Sequence, residues 1–299
     1  MKKLRIPSDI FCEVVLPGTV IGTLLPEICE ELGCPAIPVV AVGSHDTASA
    51  VASVPVVGVK DYAYISSGTW ALMGVEVDAP IITEKSGTYN FTNEGGVNDK
   101  IRFLKNIMGL WITQECRRQW QREGKELSFD QLENSAWIAE PFKSFIDPDD
   151  MSFATPGNMP KRIMDFCKNT GQTVPKTEGE IIRCVAQSLA MKCNMVINAM
   201  EETLDKKLSV IHMVGGGIKD TMVCQFIAGA CGREVIAGPV EATATGNAVV
   251  QLMALGKIDS LNKARQIIKD SFHVTTYQPE DCELWKEAYN SFKKIARIR

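Results

Sequence analysis

At 299 residues, 45% of them hydrophobic and 23% charged, the chain is a globular protein able to bury a substantial core in one large domain or two ordinary ones. Its formal net charge of -4 excludes a strong electrostatic attraction to nucleic acid or to an anionic membrane surface. No apolar run approaches the roughly 18 to 20 residues that span a bilayer, and the opening MKKLRIPSDIF is not followed by a hydrophobic signal region, so a cytoplasmic protein is expected.

Residues 1–36 are punctuated by Pro7, Pro17-Gly18, Pro26 and Pro35 and read as an entry segment without its own core, with one short helix from Pro26 to Leu32 ended by Gly33. The apolar run Ile37 to Val42 then meets a Gly-Ser break and the small-residue segment Thr47 to Ala52. That pattern predicts a buried strand feeding a tightly packed helix. His45, Asp46 and Thr47 stand at the junction. A carboxylate fixed there, at a helix N-terminus facing a crevice, is placed to act as a base; Asp and Thr are equally the residue types that cap a helix. Asp61 to Ser66 and Thr69 to Val77 are β-rich runs separated by Ser67-Gly68, which predicts a hairpin. Its SSGT turn offers N–H groups and hydroxyls suited to a phosphate, or is an ordinary hairpin turn.

A strand from Thr88 to Thr92 is expected to lead into NEGG. The spacing of Ile101, Leu104, Ile107, Met108, Trp111 and Ile112 predicts one amphipathic helix from Ile101 to Trp120, with Asn106 and Gln114 about two turns apart on similar faces. Two capping boxes, Ser128 with Gln131 and Thr177 with Glu180, open helices at Ser128 to Ala139 and Glu178 to Leu204. Between them, Glu140 to Met159, rich in Pro and Asp, reads as a surface loop, followed by a helix from Pro160 to Asn169 stopped by Gly171. Leu208 to Val214 is expected as a buried strand running into Gly215-Gly216-Gly217. A helix from Thr221 to Ala230 ending at Gly232, a strand through Ala237 and a small-residue helix within Gly238 to Leu255 come next. Helices at Leu261 to Lys269 and from Pro279 onward complete the chain. Glycines between a strand and a helix allow close approach of a nucleotide, although GGG fits neither GxGxxG nor the Walker A spacing.

Ten cysteines without a CxxC pair, and only three histidines, suggest neither a zinc site nor a secreted disulfide framework. Cys167 with Cys184 could pair if their helices run side by side, and Cys224 with Cys231 if their shared helix bends. A reducing compartment argues for free, buried thiols in both cases.

Taken together, GSHDTASAV, AYISSGTWALMG, TNEGG followed by KNIMGLW, HMVGGG and IAGPVEATATGNA, in this order over nearly the whole chain, resemble the FGGY carbohydrate kinases and, within them, the rhamnulokinase group. The resemblance implies an α/β fold of the actin-like ATPase (ribonuclease-H-like) type, with sugar and ATP bound in the cleft between two such domains. It implies that Asp46 is the catalytic base, that His45 and Thr47 line the sugar site beside it, and that Asn106 contacts the sugar. It further implies that Thr69 contacts a nucleotide phosphate, that Gln114 contacts ATP and that Gly216 is approached by the nucleotide. The implied reaction, part of rhamnose catabolism, is ATP plus L-rhamnulose giving ADP plus L-rhamnulose 1-phosphate, with Mg²⁺ neutralising phosphate charge and no resident metal ligand assigned. The physical chemistry agrees. A carboxylate within hydrogen-bond reach can take the hydroxyl proton as the phosphoryl group arrives, typically worth roughly 10² to 10⁴ in rate, and positioning and charge neutralisation supply most of the rest.

Kinases of this kind carry a first phosphate loop, an Asp-x-Gly turn followed by Ser or Thr, and no aspartate here has glycine two residues later. Residues 1–57 therefore read as the C-terminal remnant of the first, sugar-binding domain, carrying Asp46, and residues 58–299 as the complete second, nucleotide-binding domain. Such a chain is expected to have little or no kinase activity alone. It is also expected to expose apolar surface on residues 1–57 that favours association with itself or another chain. Competing readings are a kinase for another ketose, such as fuculose or xylulose, and a nucleotide-binding or assembly module without catalysis, since actin-like domains serve many roles.

Overall fold

The structure, a computed structural model, describes residues 2–297; Met1, Ile298 and Arg299 lie outside it. The chain begins as an exposed arm. Within it β1 (Val20–Thr23) and β2 (Pro38–Val40) form a two-stranded antiparallel sheet around α1 (Pro26–Leu32). The helix starts on a proline that needs no donor and stops at Gly33 in the left-handed conformation, as expected. The expected burial of the Ile37 to Val42 run is not found. β2 pairs only with β1, and neither strand has a buried residue, so this apolar run is exposed at Ile37 and Pro38 and only half-buried from Val39 to Val42.

From α2 (Asp46–Ala52) onward the chain is packed. The central sheet is built from β3 (Tyr62–Ser67), β4 (Trp70–Val77), β5 (Thr92–Gly95), β6 (Ile101–Met108), β7 (Val210–Val214), β8 (Glu234–Ala237) and β9 (Thr275–Tyr277). Its spatial order is β5-β6-β4-β3-β7-β8-β9, with β3, β7 and β8 parallel and the rest antiparallel. Alternation along the strands sends Ile65, Met73, Phe103 and Met213 to one face and Tyr64 and Val214 to the other. The short α3 (Glu84–Thr88) precedes β5. The first face is covered by α4 (Trp111–Arg122), α5 (Phe129–Ile138), α6 (Met159–Asn169), α7 (Glu178–Leu204), α8 (Thr221–Cys231) and, last in sequence, α11 (Cys282–Phe292). α7 is buried along nearly its whole length and forms the spine of that layer. The second face carries α2, α9 (Ala242–Ala254) and α10 (Leu261–Ser271).

Two features of that second face fix α2. It crosses α9 so closely that a Cβ added at Gly246 would lie 1.7 Å from the Ser49 carbonyl oxygen, which explains the run of small residues on both helices. At its far end Arg265 of α10 donates to the carbonyls of Val51 at 3.0 Å and Ala52 at 3.4 Å, satisfying orphan helix-end acceptors. The same guanidinium pairs with buried Glu76 at 2.6 Å, and Tyr62 donates its hydroxyl to Glu76.

Both capping boxes are present as expected, at α5 and α7. The expected helix from Ile101 to Trp120 is corrected: residues 101–108 are β6 and only Trp111 onward is helical. β6 lies between β4 and β5 with both faces largely covered, so its apolar residues need not alternate and mimic a helical spacing. The strand expected at Thr88 to Thr92 falls at Thr92–Gly95. The loop 140–158 is not a surface loop throughout. Phe145, Ile146, Asp147 and Phe153 are buried, and Asp147 is held at 2.8 Å by Lys192 of α7, itself fully buried. β9 was not among the expected strands, although Val274 to Tyr277 are β-branched and aromatic residues of strand character. All ten cysteines are free thiols, six of them buried.

Candidate active site

The small residues after Gly43 let α2 sink against α9 and leave its N-terminus at the surface of the packed body. His45 is the N-cap, its Nδ1 accepting from the Thr47 N–H at 3.3 Å, and Asp46 Oδ1 accepts from the same N–H at 2.7 Å. The cap is therefore His45, and Asp46 is the first residue of the helix. Thr47 is buried, whereas the Asp46 side chain is 77% exposed and free to meet a ligand. Thr243, in the first turn of α9, donates to the Asp46 carbonyl at 3.4 Å.

Three backbone turns face this carboxylate. The β3–β4 turn is pinned by the start of α4, where Leu110 and Trp111 N–H groups donate to the carbonyls of Gly68 at 3.2 Å and Thr69 at 3.1 Å. That contact also brings Gln114 of α4 to the turn, its Oε1 at 3.5 Å from Thr69 Oγ1. The triple glycine after β7 divides its work. Gly215 has φ +92° and a Cβ on Gly217 would lie 2.1 Å from Ser67 Oγ, so these two let the β7 loop press on β3; Gly216 has open space where its side chain would be. The third turn, Val240 to Thr243, opens α9.

Two hollows meet over these turns. One, of about 610 Å³, is lined by His45, Asp46, Thr47, Asn106, Glu94 and Glu241 among others. The second, of about 480 Å³, is lined by Gln114, the apolar Leu110, Phe129, Leu132 and Ile182, and Glu133, Lys219 and Asp220. Gly68, Thr69 and Gly216 border both. Every residue singled out from the sequence thus lies on one continuous groove. Asn106 reaches it from β6, where it stands opposite Leu72, and not from a helix shared with Gln114.

Asp220 caps α8, and burial together with neighbouring Glu133 pushes its pKa up to about 6 against the pull of its hydrogen bond from Val223. Sequence reading missed Glu94, Trp70 and Glu133 as groove residues. Trp70 is half exposed there, an uncommon position for so large an apolar ring, and its only sequence signal was its place directly after the SSGT turn.

Among the described residues no three or more His, Cys, Asp or Glu side chains converge as a metal cage. A nucleotide-borne Mg²⁺ needs only one or two carboxylates besides phosphate oxygens and water. Glu241, exposed in the first hollow, is such a carboxylate, so the donor set fits a cation that arrives with the nucleotide without drawing on Asp46. Among the described residues no helix is long and apolar enough to cross a membrane.

Residues 63–255 match the pattern of the FGGY family of carbohydrate kinases, C-terminal domain. The chain is 43% identical over 297 residues to a rhamnulokinase of Bacteroides thetaiotaomicron, covering 99% of this chain and 60% of that protein. It is 45% identical over 284 residues to a rhamnulokinase of Halalkalibacterium halodurans, covering 95% and 59%. It thus spans about 60% of the length of the curated relatives it matches. Among solved structures, a ligand-bound xylulose kinase from Lactobacillus acidophilus superposes with a TM-score of 0.71 at 14% identity, over 98% of this chain and 58% of that one. A gluconate kinase from Lactobacillus acidophilus gives 0.71 at 16% identity, again over 98% and 58%. These likenesses show the fold, which is the expected α/β architecture of the actin-like, ribonuclease-H-like type. With the family pattern laid over the sheet, the triple glycine and α9, and with close relatives aligned along nearly all its residues, the chain belongs to the FGGY family of carbohydrate kinases.

Proposed function

We propose that this chain supplies the catalytic base and the nucleotide site of an ATP-dependent kinase that converts L-rhamnulose to L-rhamnulose 1-phosphate. The carrying observation is that the hollow holding Asp46 and the hollow holding Gln114 meet at Gly68, Thr69 and Gly216. Residues 58–299 form the nucleotide-binding unit in this reading, and residues 1–57 bring the end of the sugar-binding unit. His45, Thr47 and Asn106 hold sugar hydroxyls, while Thr69, Gln114 and the open backbone at Gly216 hold the nucleotide. Asp46 takes the proton of the attacking hydroxyl as its oxygen bonds to the γ-phosphorus and the bridging bond to ADP breaks. Mg²⁺, when bound, neutralises phosphate charge.

The relatives' names support the sugar, and the groove supports the chemistry. With Asp46 largely in water, the chain by itself excludes little solvent from the reacting atoms, so its own turnover is slow. The exposed apolar side chains of the arm, such as Val14, Leu16 and Ile21, favour association with a further copy or chain.

Calorimetry with ADP and an ADP-release assay with L-rhamnulose test this reading. ADP binding to the chain and slow, sugar-dependent release are expected. Asp46→Asn is expected to lower that release by roughly 10² or more with ADP affinity unchanged. Equal release by Asp46→Asn removes the residue from its role, and turnover near the roughly 10 s⁻¹ of typical enzymes refutes the slow turnover of the isolated chain.

A further inference from the structure

Glu94 lines the same hollow as Asp46 and Asn106, and the TNEGG motif that contains it gives it no role. It stands on β5 directly opposite Arg102 on β6. Arg102 Nη2 lies 2.9 Å from Glu94 Oε2, with the arginine side chain 1% exposed and the glutamate 29%. Arg102 Nε donates to the Gly95 carbonyl at 3.0 Å, and its buried Nη1 has no partner. A guanidinium in such a place is costly unless its pairing is good. The β5–β6 ladder therefore devotes a core position to holding one carboxylate at the wall of the groove. Thr92 Oγ1 reaches Glu94 Oε1 only at 3.4 Å, so that oxygen keeps acceptor capacity toward the hollow.

We propose that Glu94, positioned by Arg102, accepts a hydrogen bond from a ketose hydroxyl other than the one phosphorylated, and so sets which hydroxyl faces Asp46. This rests on the ketose-kinase reading above and adds a specificity residue to it. The surroundings suit a sugar. Asn106 lies four residues from Arg102 on the same face of β6 and brings an amide, and the half-exposed Trp70 on β4 offers an apolar ring to the C–H side of the ligand. A fixed charged acceptor is the strong partner for a neutral hydroxyl, because its hydrogen bond is worth more than a neutral one.

Calorimetric titration of the whole chain, saturated with ADP, with L-rhamnulose and with ketoses each lacking one hydroxyl tests the assignment. Glu94→Gln, which keeps shape and can still accept from Arg102, is expected to weaken L-rhamnulose binding roughly tenfold or more while ADP affinity stays unchanged. Arg102→Lys is expected to weaken the sugar less and likewise spare ADP. One deoxy ketose is expected to bind Glu94→Gln and the unaltered chain alike, since the hydroxyl and its acceptor are lost together. Unaltered L-rhamnulose affinity in Glu94→Gln overturns the proposal, as does an equal loss for every deoxy ketose, which would mark a structural effect. Glu94-dependent binding of another ketose with no binding of L-rhamnulose keeps the proposal and refutes the rhamnulose assignment. Absence of any ketose binding overturns both.

Discussion

Gly246→Ala separates two accounts of the α2–α9 crossing. On an open helix face, alanine in place of glycine stabilises by about 1 kcal/mol through propensity. At Gly246 the new Cβ would lie 1.7 Å from the Ser49 carbonyl oxygen and 2.5 Å from its carbon. A comfortable contact is roughly 3.5 Å, so the helices must part by about 1.5 to 2 Å. Overpacking typically costs about 1 to 3 kcal/mol, and a backbone clash this deep belongs at the upper end. The net expectation is a loss of about 2 kcal/mol, or on the order of 4 °C in melting temperature for a chain of this size. Gly87→Ala on α3, where nothing lies within 4 Å, is the control and is expected to be neutral or slightly stabilising. Because α2 carries His45 and Asp46, the parting should also weaken ketose binding more than ADP binding. Circular-dichroism melts and calorimetry read both effects. Gly246→Ala melting at or above the unaltered chain, with ketose binding intact, would refute the close-packing argument.

Arg265→Met is expected to cost about 3 to 5 kcal/mol, because it strands buried Glu76 and frees the α2 carbonyls. The double variant with Glu76→Gln should lose less than the sum of the single changes in urea melts, and strict additivity would dismiss the pair. His212 is buried with neither ring nitrogen hydrogen-bonded, and burial, with Arg265 and Lys269 nearby, lowers its pKa from 6.5 to about 4. The unfolded chain binds that proton below pH 6.5 and the folded chain resists it until about pH 4, so this contribution is present above pH 6.5 and is lost as pH falls between the two. His212→Leu should flatten the acid limb of a stability-versus-pH curve, and an unchanged limb contradicts the assignment. Asp220 acts oppositely: raised from 3.8 to about 6, it favours folding at low pH and loses that contribution as pH rises through 6. Asp220→Asn should therefore gain stability above pH 6 relative to the unaltered chain, and no gain refutes the raised value. Val14→Ser with Leu16→Ser, which removes two exposed apolar side chains from the arm, should reduce concentration-dependent association in sedimentation; an unchanged profile clears the arm of that role.

Local chemistry was legible in the sequence where one segment sufficed to specify it. The boxes at Ser128 and Thr177, the left-handed stops at Gly33 and Gly232, and the β3–β4 hairpin all depend on residues within a few positions of one another. What stayed hidden depends on distant partners. β6 mimics a helix because β4 and β5 cover it, and Asp147 sits in a buried loop only because Lys192, 45 residues on, neutralises it. The groove follows the same division. Asp46, Thr69 and Gly216 stand out within short motifs with a role attached, whereas Glu94, although inside TNEGG, acquires a place in the groove only when β5 is laid beside β6. Conversely, the apolar run before Asp46 carries a buried-strand pattern that β1 alone cannot bury.

Gly68, Thr69 and Gly216 form a ridge common to both hollows. If the proposed ketose and ADP occupy the two hollows, they share these neighbours, and any factor by which ADP changes ketose affinity is the factor by which the ketose changes ADP affinity. Order of addition and product inhibition would then be governed at a strip of backbone too small to favour one guest without registering the other.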